Sequence, residues 1–256
     1  MLSLNSQARD FAGQVRRARM RDNSMAGTAE KMTGDEDAAA VRLPAHEVIY
    51  RRLRDEILFG DLVPGQAVTI QGLTHRMGAG MTPVREAIRR LISDGALEFQ
   101  GNRRVSVPRL DASHISELIY ARQWLDPHLT LRANERATLA DLEALTELDA
   151  RLDAAIGAGD LRNYLELNYR FHKYLYDIAD SPILSDLAEG LWLRFGPSLR
   201  LVCGRLGTRN LPDKHKELLD AMHARDAEAA ARAIRDDVIQ GMEQVRQALE
   251  AGCAAR

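Results

Sequence analysis

The sequence predicts a mainly α-helical protein: a small helical N-terminal region closed by a β-hairpin, then an antiparallel all-helical bundle. Three observations carry this. Ala, Leu, Arg, Asp and Glu dominate a chain of 256 residues in which aromatics are only 5%, a composition weighted toward helix formers. Apolar residues recur at helical spacing through most of the chain after His46. Regular breaks, at Gly60, Pro64-Gly65, Gly78–Gly80, Asp94-Gly95, Gly157 and Gly159, Ser181-Pro182, Gly204 and Gly207, and Pro212, divide that pattern into segments of helix length.

Composition also excludes whole classes. At 45% hydrophobic and 28% charged, the chain has enough apolar material for a core. No stretch approaches the roughly 18 uninterrupted apolar residues of a membrane span. Two cysteines, Cys203 and Cys253, make no disulfide framework and no metal knuckle. The N-terminus lacks the basic, apolar, small-residue plan of a signal peptide. A cytoplasmic protein is expected.

Three segments follow from the patterning. Residues 1–43 lack sustained apolar periodicity and are expected to form a disordered tail; their cluster of Arg16, Arg17, Arg19 and Arg21 reads first as solvated. Residues 44–108 form a first domain and 109–256 a second. The formal charge of −2 hides a gradient. From Val41 to Pro108 ten basic residues face seven acidic ones, a net of +3, whereas from Arg109 onward nineteen face twenty-four, a net of −5. Alone, so small an asymmetry argues only weakly for a nucleic-acid partner.

In the first domain Val48, Ile49, Leu53, Ile57 and Leu58 follow helical spacing and Gly60 ends the helix. A short helix is expected over about Ile70 to Met77. A third begins at Thr82-Pro83, where Thr can cap the free N–H groups and Pro fits the first turn. Val84, Ala87, Ile88 and Leu91 line one face of it. The segments ALEF and RVSV flank QGNR and read as a hairpin. Helix, short helix, tight turn, helix, two-stranded wing is the plan of a winged helix-turn-helix, which sets its later helix in the DNA major groove. Arg85 and Arg89 lie four apart on the polar side of that helix, and Thr82 stands at its head, where side chains first reach base edges or phosphates. Asn102 and Arg103 occupy the wing tip. The bland reading is a solvated basic helix with a Glu86–Arg90 pair.

In the second domain helices are expected near 111–136, 138–157, 160–178, 183–203, 212–224 and 226–250, with Asp226 as a charged cap. Asn168 and His172 are four apart and share a helix face. His215 precedes the turn at 224–226 by about ten residues and Asp237 follows it by about eleven, so at ~1.5 Å per residue both stand at one height in an antiparallel pair. Two oxygen-bearing side chains and two imidazoles can thus converge inside the bundle. That donor set suits a divalent metal such as Zn, Ni or Mn. The alternative is that His172 and His215 are hydrogen-bonded interior histidines lining a pocket. Trp124 and Trp192 read as core.

The run VIYRRLRDEILFGDLVPG … MTPVREAIRRLISDGALEFQGNRRVSV resembles the N-terminal domain of GntR-type bacterial transcription regulators. The remainder, with IYARQWLDPHLTLRA, NYRFH and HKELLDAMHARDAEAAARAIRDDV, resembles the effector domain of the FadR branch, often called FCD. The resemblance covers about 44–250. It implies a dimeric repressor or activator that binds duplex DNA at a palindromic operator and whose affinity is changed by a small metabolite. It also implies a divalent-metal site, matched here by Asn168, His172 and His215, with Asp237 where His is usual. It implies that Arg122 faces the pocket, where it can hold the carboxylate of a small organic acid in a bidentate fork; Arg200 is a second candidate for that task. One departure lies in the reading head: Gly80 and Met81 stand where Ser-Arg or Thr-Arg is usual, and Met81 cannot donate a hydrogen bond to guanine or phosphate. Two other functions stay open from the residues alone. One is a metal-dependent hydrolase with an appended DNA-binding-like domain, for which no general base beyond the ligands is evident. The other is an interaction module without a small ligand.

Overall fold

The computed structural model describes residues 43–100, 104–203 and 213–254. The chain from Leu43 onward forms one compact unit; the expected tail falls almost wholly outside the described residues. Among those, nine helices and three short strands occur: α1 (Ala45–Leu58), β1 (Ala67–Val68), α2 (Ile70–Met77), α3 (Met81–Ser93), β2 (Glu98–Gln100), β3 (Arg104–Ser106), α4 (Ala112–Arg136), α5 (Leu139–Ala158), α6 (Leu161–Ala179), α7 (Pro182–Cys203), α8 (Lys214–His223) and α9 (Ala227–Ala254).

The first domain is built as its apolar spacing dictates. Ile49, Leu53 and Ile57 of α1 pack with Val84, Ala87, Ile88 and Leu91 of α3, all buried. α1 stops before Gly60, whose φ of 72° is the left-handed conformation that glycine adopts without steric cost. Thr69 caps α2 by accepting from the Gly72 N–H at 3.1 Å. α3 begins one residue earlier than expected: Gly80 is its N-cap and no side chain caps it, so Thr82 lies inside the first turn rather than serving as the cap. The wing is a three-stranded antiparallel sheet in the order β1-β3-β2, with Phe99 opposite Val105 and Val68 opposite the same residue. β1 was not foreseen; a strand of two residues is too short to show alternation.

Boundaries in the second domain fall where caps were available. Asp111 and Thr138 form capping boxes at the heads of α4 and α5. Asp160, Asp213 and Asp226 each accept a backbone N–H of the following turn, satisfying donors that a helix start leaves free. α4 lies against α9, α6 and α7; α8 packs on α9, and α5 on α6 and α8. Trp192 is buried as expected, but Trp124 is 70% exposed on the outer face of α4. No described helix is long and apolar enough to cross a membrane.

The two domains share a seam, because α1 rests on α7. At Gly196 a Cβ would lie 2.7 Å from the carbonyl oxygen of Leu58, so only glycine lets the end of α1 approach this closely. The buried apolar residues run without interruption from Ile49 and Leu53 through Phe171 and Trp192 to Val245.

Leu91 is fully buried at the centre of the first domain. Leu91→Ala should lower the unfolding free energy by about 2–5 kcal/mol, read by urea denaturation; an unchanged midpoint would mean that α3 is not held by its apolar row.

Candidate functional site

Two sites emerge, one on each domain. On the reading helix α3, burial of Val84, Ala87, Ile88 and Leu91 turns the intervening residues outward. Met81, Thr82, Arg85 and Arg89 are all exposed. Among the described residues, neither Arg85 nor Arg89 has an ion-pair partner. The Glu86–Arg90 pair of the bland reading is replaced by another: Arg90 Nη1 donates to Glu47 Oε2 at 2.6 Å and its guanidinium lies 3.7 Å over the Tyr50 ring. Arg90 is thus part of the α1–α3 packing, which leaves Arg85 and Arg89 as the free cations of that face. Arg104 is exposed on the wing; Asn102 and Arg103 lie outside the described residues.

The second site is a cavity of about 380 Å³ inside the bundle, whose lining includes Asn168, His172, His215, Asp237 and Arg122. α6 contributes Asn168 and His172 from successive turns. α8 and α9 run antiparallel across the 224–226 turn and bring His215 and Asp237 to one height, as their spacing requires. His172 Nε2 lies 3.2 Å from Asp237 Oδ2, and His215 Nε2 lies 3.8 Å from Asp237 Oδ1. One donor atom from each of these three side chains falls within 4.8 Å of the others.

The surroundings fix these groups. His215 Nδ1 lies 3.2 Å from Asp149 Oδ1 on α5, and the Phe171 ring stacks on the imidazole at 4.0 Å. A carboxylate on Nδ1 sets the tautomer that leaves Nε2 as a lone-pair donor facing the cavity. Nε2 of His215 is buried with no hydrogen-bond partner, a costly arrangement for a polar atom unless something else meets it. Burial pushes the His172 pKa down, against the pull of Asp237. For His215 burial acts the same way but is outweighed by the bond to Asp149 and the charges of Asp237, Asp149 and Asp213, so its pKa is raised. Burial would raise the Asp237 carboxyl, yet the His172 bond and the neighbouring cationic groups hold it at about 2. An ionised carboxylate, a neutral imidazole and an orphaned imidazole nitrogen form a donor set that fits a divalent cation.

Arg122 is 3% exposed and lines this cavity, as the resemblance implied. Its fork, however, is engaged within the protein. Nε and Nη2 donate to the two oxygens of Asp126 at 3.3 and 2.8 Å, and the guanidinium lies 4.7 and 4.6 Å from the Trp192 and Phe195 rings. Tyr176 donates to Asp126 Oδ1 at 2.5 Å and accepts from Trp192 Nε1 at 3.0 Å. The bidentate face of Arg122 is therefore taken up by Asp126. Arg200 does not line the cavity. Its Nη1 donates to the Gly60 carbonyl at 3.0 Å, which puts it on the seam between the domains. Its position one turn beyond Gly196 on α7 sends it to the opposite side from Leu199, which does line the cavity.

Sequence reasoning missed Asp149, Phe171, Tyr176 and Asp126. For Asp126 a signal existed, since it stands four residues after Arg122 on one helix face. Asp149 gave none, because nothing local says that α5 packs beside α8.

The comparisons agree with this architecture. Residues 45–107 match the family model described as bacterial regulatory proteins, gntR family, and residues 117–239 match the FCD domain. The HTH-type transcriptional regulator McbR of Escherichia coli K12 is 29% identical over 193 residues, covering 74% of this chain and 87% of the relative. The HTH-type transcriptional repressor RspR of the same organism is 25% identical, covering 80% and 90%. Among solved structures, E. coli McbR/YncC superposes with a TM-score of 0.75 at 27% identity, over 80% of this chain and 99% of that one. A GntR regulator from Rhodococcus sp. RHA1 superposes with a TM-score of 0.66 at 21% identity, over 78% and 96%, and shares the fold. These relatives are named as transcriptional regulators rather than as hydrolases. A head whose exposed Arg85 and Arg89 have no ion-pair partner among the described residues, joined to a helical domain that holds a cavity, is what this architecture provides, and the chain belongs to the GntR family of bacterial transcriptional regulators, in the branch that carries an FCD effector-binding domain.

Proposed function

We propose that this regulator acts in the cytoplasm as a homodimer on a palindromic operator, and that a small organic acid in the FCD cavity, held with a divalent metal, sets its DNA affinity. The observation that carries the reading is the buried, unpartnered Nε2 of His215 facing the Asp237 carboxylate beside His172. His172, His215 and Asp237, with Asn168 on the adjoining turn, would hold a cation such as Zn, Ni or Mn. Bound there, it would supply a Lewis-acid contact for a ligand oxygen. The chain's own residues do the rest: Arg122 Nη1 offers a charge-assisted donor to the acid, and Trp192, Phe195 and Leu199 exclude water from its apolar part.

For DNA, Thr82, Arg85 and Arg89 contact the major groove and its phosphates, with Asn102 and Arg103 at the wing. Met81 is 53% exposed at the head of α3 and offers an apolar surface of the kind that meets a thymine methyl group. One head supplies few cations, so binding by a single head is weak. A two-fold dimer joins two such contacts and demands a two-fold site. Arg200 is not used for the effector in this reading; it belongs to the seam.

Two predictions follow from these sites. Arg85→Ala and Arg89→Ala should each weaken binding to an operator selected from random duplex DNA. Each should also lower the slope of log affinity against log salt by about 1 per head. An unchanged slope in both variants would remove α3 from the interface. Separately, Zn²⁺ or Ni²⁺ in excess should raise the melting temperature of the chelator-treated wild type, as ligands bound to the native state do. His215→Ala should abolish that rise. A rise of equal size in His215→Ala would place the cation elsewhere.

A further inference from the structure

α7 has two working faces. One faces the cavity with Trp192, Phe195 and Leu199. The other carries the reading head. Glu189 Oε2 accepts from Arg54 Nη2 of α1 at 3.0 Å, Gly196 admits the Leu58 carbonyl, and Arg200 holds the Gly60 carbonyl. The wall between effector and head is therefore one helix thick.

Tyr169 of α6 fills the corner. It follows Asn168, which lines the cavity, and is itself 7% exposed. Its ring packs edge-on against Trp192 at 5.5 Å on the cavity side and against Phe59 at 5.9 Å on the head side. Its hydroxyl accepts from Arg54 Nη2 at 2.9 Å and donates to Glu189 Oε2 at 3.1 Å. Arg54, Tyr169 and Glu189 thus form a closed triangle that joins α1, α6 and α7.

Close-packed interiors pass displacement on rather than absorb it. A shift of Trp192 away from an occupant presses on Tyr169 and, through it, on Phe59 and Arg54. At the same contact α7 is weakened: Pro197 has no N–H to give to the Leu193 carbonyl, so the helix lacks one rung next to the glycine under Leu58. The missing rung lies where the two sites meet.

We propose that α7, clipped to the head by the Arg54–Tyr169–Glu189 triangle, is the element through which occupancy of the cavity is converted into a change at the reading head. This rests on the effector reading above but concerns how the cavity is coupled to the head, and it is testable without knowing the effector. Gly241 on α9 and Gly157 on α5 both line the cavity, and a Cβ at either meets no atom within 4 Å. Gly241→Phe at a partly buried position and Gly157→Phe at an exposed one therefore add bulk to the cavity lining from two different walls, neither touching the head.

The readout is amide exchange at Phe59, Gly60 and Leu62, whose N–H groups bond within the end of α1, measured on the full chain. Each filler should change exchange there by about fivefold or more in the wild-type background, within the usual range of coupling between sites. In the Tyr169→Phe/Glu189→Gln background the change should fall below about twofold. Fillers that leave the seam unchanged in the wild type, or change it equally in both backgrounds, overturn the proposal; the second filler guards against one variant failing to fold. Operator affinity of the same proteins is the separate arm. If exchange follows the prediction and affinity does not move, the coupling stands and the DNA-regulatory reading of the cavity fails.

Discussion

The contact between α1 and α7 at Gly196 constrains the rest of the molecule. Because no side chain separates the Leu58 carbonyl from the α7 backbone, the reading head is seated directly on the helix that walls the effector cavity. Polar contacts cross that seam as well: Arg54 lies between Tyr169 and Glu189, and Arg200 donates to the Gly60 carbonyl. A head joined to its sensor only by a flexible linker would gain nothing from changes inside the bundle. Here α3 packs on α1 and α1 rests on α7, and Arg85 and Arg89 reach outward from that frame.

The cavity itself is a compromise between burial and charge. Gathering two histidines, a guanidinium and the carboxylates of Asp126, Asp149 and Asp237 in a helical bundle is costly unless each is met. The structure answers this with local partners, Asp149 for His215 and Asp126 for Arg122, and leaves two imidazole nitrogens, His172 Nδ1 and His215 Nε2, without a hydrogen bond. The same economy explains why Arg122 does not stand as a free clamp. A lone guanidinium in that position would be an uncompensated buried charge, whereas one paired with Asp126 and flanked by aromatic rings is compensated.

Much of this was legible in the sequence, for identifiable reasons. α3 declared itself through the row Val84, Ala87, Ile88 and Leu91, and that row also fixed which arginines face outward. The convergence of Asn168, His172, His215 and Asp237 could be read because two short-range rules suffice, the four-residue repeat of a helix and equal distances from a turn. What failed had no local cause to detect. Asp149 reaches His215 only because α5 packs beside α8. Arg200 and Leu199 are neighbours in sequence, yet one faces the seam and the other the cavity, and only the packing of α7 decides which. Trp124 looked like core by size alone, but its place on the helix turns it to the outside. Thr82 looked like a cap by residue type, but α3 starts at Met81, with Gly80 as its cap.

The most direct test of the whole account is a structure of the full chain bound to its selected operator duplex. The account predicts α3 lying in the major groove with Arg85 and Arg89 against the DNA, while Arg54 remains clipped between Tyr169 and Glu189. A complex in which the outer face of α3 is covered by a second copy of the chain, with the duplex held elsewhere, would contradict it.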